Sequence, residues 1–497
     1  MLPGRGRHMG FYSGAVGLVL LLAATQSALA QSYPGGGMRG QPYPGGGVYR
    51  GQRMPPPVTR MPEHRSPPRD RIRFHMQAIP GYLPPPRQTL RPLVEEPPLR
   101  PVKAQARPPQ NPRRSTGVPP SGERRFVPNE VVIEVAGRPS QQQVEALARR
   151  HRLNREESQS FDLSGTTMFR WTIPDRRSVA SVIRGLEADA SILSVQPNYL
   201  YTLQQSKTGE GVQYAVDKLR LARAHELARG ERILVAVIDS GIDASHPELA
   251  GSVIESFNAV GGADNAHSHG TGIAGAIVAQ ARLTGVAPRA RILAVRAFDP
   301  NGKAAEGSTF SILKGIEWAA GKGARVINMS FAGPQDPAMA RTLAAAHKKG
   351  IVLIAAAGNS GPKSPPLYPA ADPNVIAVTA TDAKDDLFAA SNRGHHVAVS
   401  APGVDVLLPT PGSSYQMSSG TSFAAAHVSG VAALVLERAP GLSPDSVRRV
   451  LLSTARDLGP AGRDKDFGAG LADAYQALVS VGGVPADGVS ASATPPQ

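Results

Sequence analysis

The chain has 497 residues, with 54 lysine and arginine residues against 39 acidic ones, a net charge of +15 and an isoelectric point near 10.2. It contains no cysteine, which excludes disulfide bonds, thiolate catalysis and cysteine-bound metals within this sequence. The length predicts two or more domains, and stability without disulfide bonds has to come from a large buried core.

The first 30 residues have the pattern of a cleavable secretory signal. Arg5 and Arg7 precede an apolar run from about Ala15 to Ala24, and small residues follow up to Ala30. We expect cleavage after Ala30 and export, so that the protein is secreted or resides in the periplasm or cell envelope. The alternative is an uncleaved membrane anchor, but the apolar run is about half of the roughly 20 residues that a spanning helix needs.

Residues 31–125 carry most of the excess positive charge. They contain 17 lysine and arginine residues, 5 acidic residues and 22 of the 46 prolines, and they open with the repeat YPGGG at Tyr33 and Tyr43. Such a composition predicts a disordered or polyproline-like arm. The arm is either a spacer or a means of adhesion to an anionic envelope surface. Because the rest of the chain is nearly neutral, no nucleic-acid partner is expected.

Residues 126–203 alternate strand and helix patterns in the order β-α-β-β-α-β. The strand segments include EVVIEV, TMFRWTI and ILSVQPN, and the helical segments are SQQQVEALARR and SVASVIRGLEAD. Two β-α-β halves in this short length predict a small ferredoxin-like α+β module.

Residues 204–211 are expected to form a linker, residues 212–479 a much larger unit, and residues 480–497 a flexible tail. In the large unit, apolar segments such as ILVAVIDSG and IVLIAAAGNSG alternate with amphipathic helices. This pattern predicts an α/β fold with a doubly wound, mostly parallel sheet, whose sites lie beyond the carboxyl ends of the strands. A late helix is expected to begin with Ser443 as its cap and Pro444 in its first turn.

Three polar residues stand at the ends of such elements. Asp239 directly follows a buried strand, which is costly for an unpaired carboxylate, and His269 opens a helix of small residues. Ser422 begins a long apolar helix, where it is either an ordinary helix cap or a nucleophile. The order Asp, His, Ser suits a nucleophile activated by an imidazole that a carboxylate orients.

The motifs around these residues resemble those of the subtilisin-like serine proteases, the subtilases. The resemblance covers roughly residues 212–478 and rests on VAVIDSGID, HGTGIAG, GVAPRARILAVRA, GIEWAAGKGARVINMSF, AAAGNSG and GTSFAAAHVSG. It implies a serine endopeptidase that acts on polypeptides without a cofactor. Asp239 would orient the imidazole, His269 would act as general base and then acid, and Ser422 would be acylated.

The same resemblance implies an oxyanion hole and a substrate cleft. The oxyanion hole would consist of the Asn359 side chain and the backbone N–H of Ser422, although Asn359 in Asn-Ser-Gly is alternatively a turn residue. The uncharged walls of the cleft predict a preference for uncharged, mainly apolar side chains before the scissile bond. The predicted wall residues are Ser330, Phe331, Ala332, Ala356, Ala357 and Gly358.

By the same resemblance, the module of residues 126–203 is similar to an inhibitory propeptide, which assists folding and blocks the cleft until it is cut. Residues near Tyr199 to Leu203 would then lie in the cleft as a product-like strand. The alternative is a permanent structural or binding domain. A different hypothesis for the whole protein is a catalytically silent surface protein that uses this fold and the basic arm for binding.

Some positions depart from the usual subtilase pattern. Phe423, Ala426 and Ala332 stand where many members have Met, Pro and Gly. The methyl group of Ala332 is expected to narrow the entrance to the specificity pocket, and none of the three changes removes a catalytic group.

Metal binding is not favoured by the sequence. His267 and His269 are two residues apart, but no third ligand with metal spacing follows. His427 is expected to be a structural neighbour of the nucleophile. Residues 279–286 lack the oxygen-rich insertion that binds calcium in many subtilases, so no calcium site is expected there.

Overall fold

Residues 116–203, 206–208, 213–299 and 306–482 are described by a computed structural model. The predicted signal, the arm up to residue 115 and the tail beyond residue 482 lie outside these described residues. All the described residues belong to one compact unit, Gln105–Gln497.

The helices and strands of the described residues follow in chain order. The strands are β1 Phe126–Ala136, β2 Asn154–Phe161, β3 Thr166–Thr172, β4 Ser194–Leu203, β5 Ser206–Thr208, β6 Leu234–Asp239, β7 Val253–Asn258, β8 Arg291–Arg296, β9 Glu306–Ser308, β10 Val326–Met329, β11 Phe331–Ala332, β12 Val352–Ala356, β13 Val375–Thr381, β14 Val397–Pro402, β15 Val406–Thr410 and β16 Ser414–Ser419. The helices are α1 Gln141–His151, α2 Val179–Glu187, α3 Ala215–Lys218, α4 Leu221–Ala224, α5 Ser268–Val278, α6 Thr309–Gly321, α7 Pro337–Lys348, α8 Thr421–Arg438, α9 Pro444–Ser453 and α10 Ala474–Val481, with a 3-10 turn at Pro247–Leu249.

The centre of the fold is a seven-stranded parallel sheet in the order β14-β13-β12-β10-β6-β8-β7. Side chains alternate along β6, so that Val235 and Val237 join the apolar core that includes α5 and α8. Ala236 and Ile238 join the core on the opposite face, which includes α6 and α7. Helices therefore cover both faces, and the predicted doubly wound α/β fold is confirmed.

The first four strands form an antiparallel sheet in the order β4-β1-β3-β2. One face packs with α1 and α2 around Ile133, Trp171 and Ile183. The other face contributes Val132 and Met168 to the apolar core that contains α6. The elements of residues 126–203 therefore have two buried faces, one of them against the large parallel unit.

Several helix starts follow from their capping residues. Ser140 caps α1, where its side chain and that of Gln143 form a reciprocal capping box. The predicted start of α9, with Ser443 as the cap and Pro444 in the first turn, is confirmed.

The predicted arm boundary at residue 125 needs correction, because residues 116–125 are bound to the module. The Thr116 hydroxyl and the Gly117 N–H both donate to the Glu187 carboxylate at 2.7 Å. The N–H of Leu200 donates to the carbonyl of Arg125 at 2.8 Å. An added Cβ at Gly117 would lie 1.6 Å from the Val195 carbonyl oxygen, so this close approach requires glycine. Residues 116–125 are held in place by contacts that include β4. Composition alone does not reveal such contacts.

The predicted linker and tail also differ from the structure. Residues 206–208 of the linker form β5, which pairs antiparallel with β16. Helix α10 extends to Val481, two residues into the predicted tail. Within the described ranges, no helix combines the length and apolar character needed to cross a bilayer.

Candidate active site

Asp239 is the last residue of β6, at the carboxyl edge of the parallel sheet, and it is fully buried. Its two carboxylate oxygens lie 2.8 and 2.9 Å from His269 Nδ1. The backbone N–H and the hydroxyl of Ser240 add donors to Oδ1 at 2.8 and 2.9 Å. A carboxylate at Nδ1 favours the tautomer with hydrogen on Nδ1, so Nε2 of His269 carries the lone pair.

His269 is the second residue of α5, and its surroundings explain the small residues of the motif. The His267 side chain caps the helix by accepting from the His269 N–H at 3.3 Å. An added Cβ at Gly270 would lie 2.4 Å from the Gly241 carbonyl oxygen, so glycine lets the helix approach the β6 end. The imidazole is fully buried, with the Phe423 ring centroid 5.7 Å away.

The His267 side chain makes hydrogen bonds near Asp239 and His269. Besides capping α5, its Nδ1 lies 2.9 Å from the Ser240 hydroxyl, which also contacts Asp239. In the described part of the chain, no group of three or more histidine, aspartate or glutamate residues is placed to hold a metal ion.

Ser422 is the second residue of α8, and the helix has no side-chain cap. Its hydroxyl donates to the Ser330 carbonyl at 3.0 Å, while the Ser330 hydroxyl donates to the Ser422 carbonyl at 3.1 Å. The ordinary-cap alternative for Ser422 is therefore wrong. In this conformation the hydroxyl is turned toward Ser330, and His269 Nε2 has no hydrogen-bond partner among the described residues.

Asn359 lies against the first turn of α8. Its carbonyl oxygen accepts from the N–H and the hydroxyl of Thr421 at 3.1 and 2.8 Å. The Thr421 hydroxyl also accepts from the Gly358 N–H at 3.1 Å, and Gly358 needs its φ of +112° to make this turn. The first turn of α8 therefore fixes the orientation of the Asn359 amide through its carbonyl oxygen.

The predicted wall residues follow two neighbouring strands. Ser330, Phe331 and Ala332 come directly after β10, and Ala356 to Gly358 end or follow β12. Since β10 and β12 are adjacent and parallel, the two segments leave the sheet at the same edge. The structure therefore brings both predicted walls to the edge that also carries Asp239.

Strand β4, the end of the module, pairs beside these wall residues as the middle of three antiparallel strands. On one side of β4, Leu203 and Thr202 pair with Phe331 and Ala332 of β11. On its other side, Leu200 to Thr202 pair with β9. Sequence reasoning missed β9 as a wall, because the segment EGS carries no strand pattern.

After Leu203, the next described residues pair with β16, the strand that precedes Ser422. In β5, Ser206 pairs with Ser419 and Thr208 with Met417 of β16. Strand β16 ends three residues before Ser422. Residues before and after positions 204–205 are thus hydrogen-bonded to β11 and to β16, respectively.

His427 lies in α8 and is nearly fully buried. Its Nδ1 is 2.8 Å from the Pro402 carbonyl oxygen, and burial lowers the pKa of the imidazole to about 4. His427 is therefore neutral at ordinary pH and holds α8 against β14.

Asp239 and His269 form a buried pair at one edge of a doubly wound sheet. Ser422 and Asn359 lie at the first turn of α8. Serine hydrolases use side chains of these types in this kind of arrangement. Comparisons with known proteins supply the family. A model of the subtilase family, peptidase family S8, matches residues 230–470. The chain belongs to the subtilase family and is a subtilisin-like serine endopeptidase.

Its relatives include proteases from several bacteria. The chain is 36% identical to thermitase of Thermoactinomyces vulgaris over 274 residues, which are 54% of this chain and 95% of thermitase. It is 36% identical to subtilisin E of Bacillus subtilis over 295 residues, 56% of this chain and 74% of that protein. The crystal structure of fervidolysin from Fervidobacterium pennivorans, a keratinolytic enzyme related to subtilisin, matches with a TM-score of 0.61 and 26% identity over 71% of this chain. The match spans 61% of the fervidolysin chain, less than two thirds of its length.

Proposed function

We propose that this protein is made as a self-inhibited precursor, cuts its own chain, and then hydrolyses other polypeptides through an acyl-enzyme on Ser422. One observation carries the proposal: Leu203 pairs with Phe331 on one side of Ser422, and Ser206 pairs with Ser419 on the other. A substrate of an endopeptidase has to occupy both sides of the nucleophile in the same way. The three peptide bonds between Leu203 and Ser206 are therefore the candidates for self-cleavage.

In the proposed reaction, the Ser422 hydroxyl turns from Ser330 to His269 Nε2. His269 accepts its proton while Oγ attacks the carbonyl carbon of the scissile peptide bond, and Asp239 stabilises the imidazolium. The C–N bond breaks as His269 returns the proton to the leaving nitrogen. Water then attacks the acyl-enzyme by the reverse sequence of proton transfers. The Asn359 amide and the Ser422 N–H stabilise the oxyanion, and one such donor is worth about 10²–10³ in rate.

Contacts between the module and helices α6 and α7 support its role as an inhibitor. The buried Glu134 of β1 forms an ion pair with Arg341 of α7. Glu317 of α6 accepts from the N–H of Asp162 at 2.9 Å. The side chain of Gln196 accepts from the N–H of Ala338, at the start of α7, at 2.8 Å. These contacts lie outside the cleft, so we expect the module to keep its cut end in place after cleavage.

Replacing the nucleophile tests the proposal. Ser422→Ala removes the hydroxyl bond to Ser330 and leaves the β4 and β5 pairings intact. We expect the variant to accumulate with the module attached, while the unaltered protein and the control Ser453→Ala, an exposed serine of α9, yield a shorter form. Intact-mass measurement identifies the cut bond. Identical processing of Ser422→Ala and the unaltered protein would contradict self-cleavage.

Export and envelope contact form a further part of the proposal. The signal-like residues 1–30 support export, and the basic residues 31–115 support binding to an anionic surface. The Ser422→Ala precursor should sediment with anionic vesicles and not with neutral ones, and equal binding to both would contradict this role. The silent binding protein is not favoured, because the relatives are proteases and the four catalytic positions are filled.

A further inference from the structure

We infer that the cleft contains a pocket that selects a tyrosine side chain upstream of the scissile bond, and that Asp336 recognises its hydroxyl. The inference rests on the proposed function, because it treats β4 as a stand-in for a bound polypeptide substrate. Tyr201 of β4 is the residue that occupies the pocket.

The pocket has the shape of an aromatic ring. Tyr201 is fully buried, and its ring meets that of Phe331 edge to face, with centroids 5.8 Å apart. An added Cβ at Gly333 would lie 2.2 Å from Cδ1 of Tyr201. The ring thus fills the space that any side chain at position 333 would take. Phe298 and Met339 belong to the same apolar core, so the body of the pocket is apolar.

The far end of the pocket is a buried carboxylate. Asp336 is 2% exposed, and its Oδ2 accepts from the Tyr201 hydroxyl at 3.1 Å and from the Thr309 hydroxyl at 2.6 Å. Its Oδ1 accepts from the Gln196 side chain at 2.6 Å and from the Met339 N–H at 2.9 Å. Four donors therefore occupy the four acceptor positions of the carboxylate. Burial, with the nearby Asp336, raises the pKa of Tyr201 well above its usual range, so its hydroxyl remains a donor.

Release of the module removes two of the four donors to the Asp336 carboxylate. Gln196 and Tyr201 leave with the module, whereas Thr309 and Met339 stay, because they belong to α6 and α7. A substrate tyrosine restores the donor to Oδ2, but a phenylalanine fills the apolar space and leaves the buried acceptor without that donor. A hydrogen bond to a charged group is strong enough to separate two such substrates by about ten- to a hundredfold.

The position of the pocket along a substrate follows from the register of β4. Tyr201 is two residues before Leu203, and the proposed cut lies between Leu203 and Ser206. The pocket therefore reads the third, fourth or fifth residue before the scissile bond. The bond identified by intact mass in the self-cleavage experiment fixes which of the three it is.

Peptides that copy residues 198–207, Asn-Tyr-Leu-Tyr-Thr-Leu-Gln-Gln-Ser-Lys, test the inference with the processed enzyme. The copy of Tyr201 is kept or replaced by phenylalanine, and kcat/KM is measured for each peptide. We expect the tyrosine peptide to be favoured by about ten- to a hundredfold. In Asp336→Ser, where serine still caps α7 but is too short to reach the tyrosine, the ratio should fall to about one.

Two further variants act as controls. Asp473→Ser makes the same change at the cap of α10, and it should keep the preference of the unaltered enzyme. Gly333→Ala puts a methyl group into the ring space, so it should lower kcat/KM for the tyrosine and phenylalanine peptides alike. If Asp336→Ser does not fold, two measurements still test the tyrosine pocket. They are the tyrosine-to-phenylalanine ratio of kcat/KM for the unaltered enzyme and the loss of kcat/KM in Gly333→Ala.

A single-residue ester substrate, which does not reach the pocket, separates the two hypotheses. No ester hydrolysis by the processed enzyme would mean that the proposed catalytic function fails. Ester hydrolysis with a tyrosine-to-phenylalanine ratio near one, or with a ratio that Asp336→Ser leaves unchanged, would overturn the tyrosine pocket alone.

Discussion

Glu248→Gln is expected to destabilise the fold through the loop that follows α5. Glu248 is fully buried, and its Oε1 accepts from the N–H groups of Arg282 and Leu283 at 2.8 and 3.0 Å and from the Tyr415 hydroxyl at 2.8 Å. Its Oε2 accepts from the Ala281 N–H at 2.8 Å. The loop thus directs N–H groups at a carboxylate, whereas a calcium site needs oxygen ligands. The lack of a calcium site in residues 279–286 stays a prediction.

The size of the effect follows from the hydrogen bonds that are lost. Glutamine places an NH₂ group against one of the N–H donors and removes the charge from the others. With about 1.5–3 kcal/mol for a hydrogen bond to a charged group, the loss is about 2–4 kcal/mol. In a protein of this size that lowers Tm by roughly 4–10 °C. Thermal unfolding in the Ser422→Ala background avoids self-digestion, and Glu255→Gln is the matched control.

Glu255 is the exposed counterpart of the buried Glu248. Glu255 has 45% of its side chain exposed and pairs with Lys322 at the surface, so its loss should shift Tm little. Burial raises the pKa of Glu248, but its hydrogen bonds outweigh burial, and the net pKa is lowered. Its stabilisation is therefore present above the unfolded-state pKa, about 4.3, and is lost as pH falls through the lower folded-state value. Equal Tm shifts for Glu248→Gln and Glu255→Gln at neutral pH, or a Glu248→Gln shift that added calcium reverses, would contradict this role of Glu248.

Two further predictions concern α8 and its surroundings. Asn359→Ala should lower kcat for peptide hydrolysis by about 10²–10³ with little change in KM, because its amide acts on the oxyanion; steady-state kinetics with an unchanged kcat would contradict this role. His427 has its pKa lowered by burial from 6.5 to about 4, so the unfolded chain binds its proton first as pH falls. The fold should therefore lose up to about 3 kcal/mol from this residue between pH 7 and pH 4. His427→Asn keeps a donor for Pro402 and should lack that loss, so identical pH dependence in denaturant unfolding would contradict the assignment.

The parallel sheet was predictable from the sequence because its signals are local. Runs such as ILVAVIDSG and the helix start at Ser443 depend on side chains close together in the chain, and both appear where the pattern places them. The proximity of Asp239 and His269 was also predictable, since a buried carboxylate at a strand end requires a partner.

Contacts between distant segments were not predictable in the same way. Strand β5 lies in a polar segment with the composition of a linker, and it pairs with β16, which is about 210 residues away in the chain. The turn of the Ser422 hydroxyl toward Ser330 depends on one side-chain torsion angle, which no sequence pattern encodes. The role of Asp336 was missed because sequence shows only a helix cap, whereas Tyr201, 135 residues away, makes it the end of a pocket.

Labelling with a serine-directed phosphonate, followed by peptide mass mapping, tests most directly the claim that Ser422 is the nucleophile activated by His269. We expect the processed protein to carry one adduct, on Ser422, and the Ser422→Ala precursor to carry none. His269→Ala should also abolish labelling, because the hydroxyl then has no base to accept its proton. An adduct on another serine, or labelling of Ser422 that persists in His269→Ala, would contradict the account.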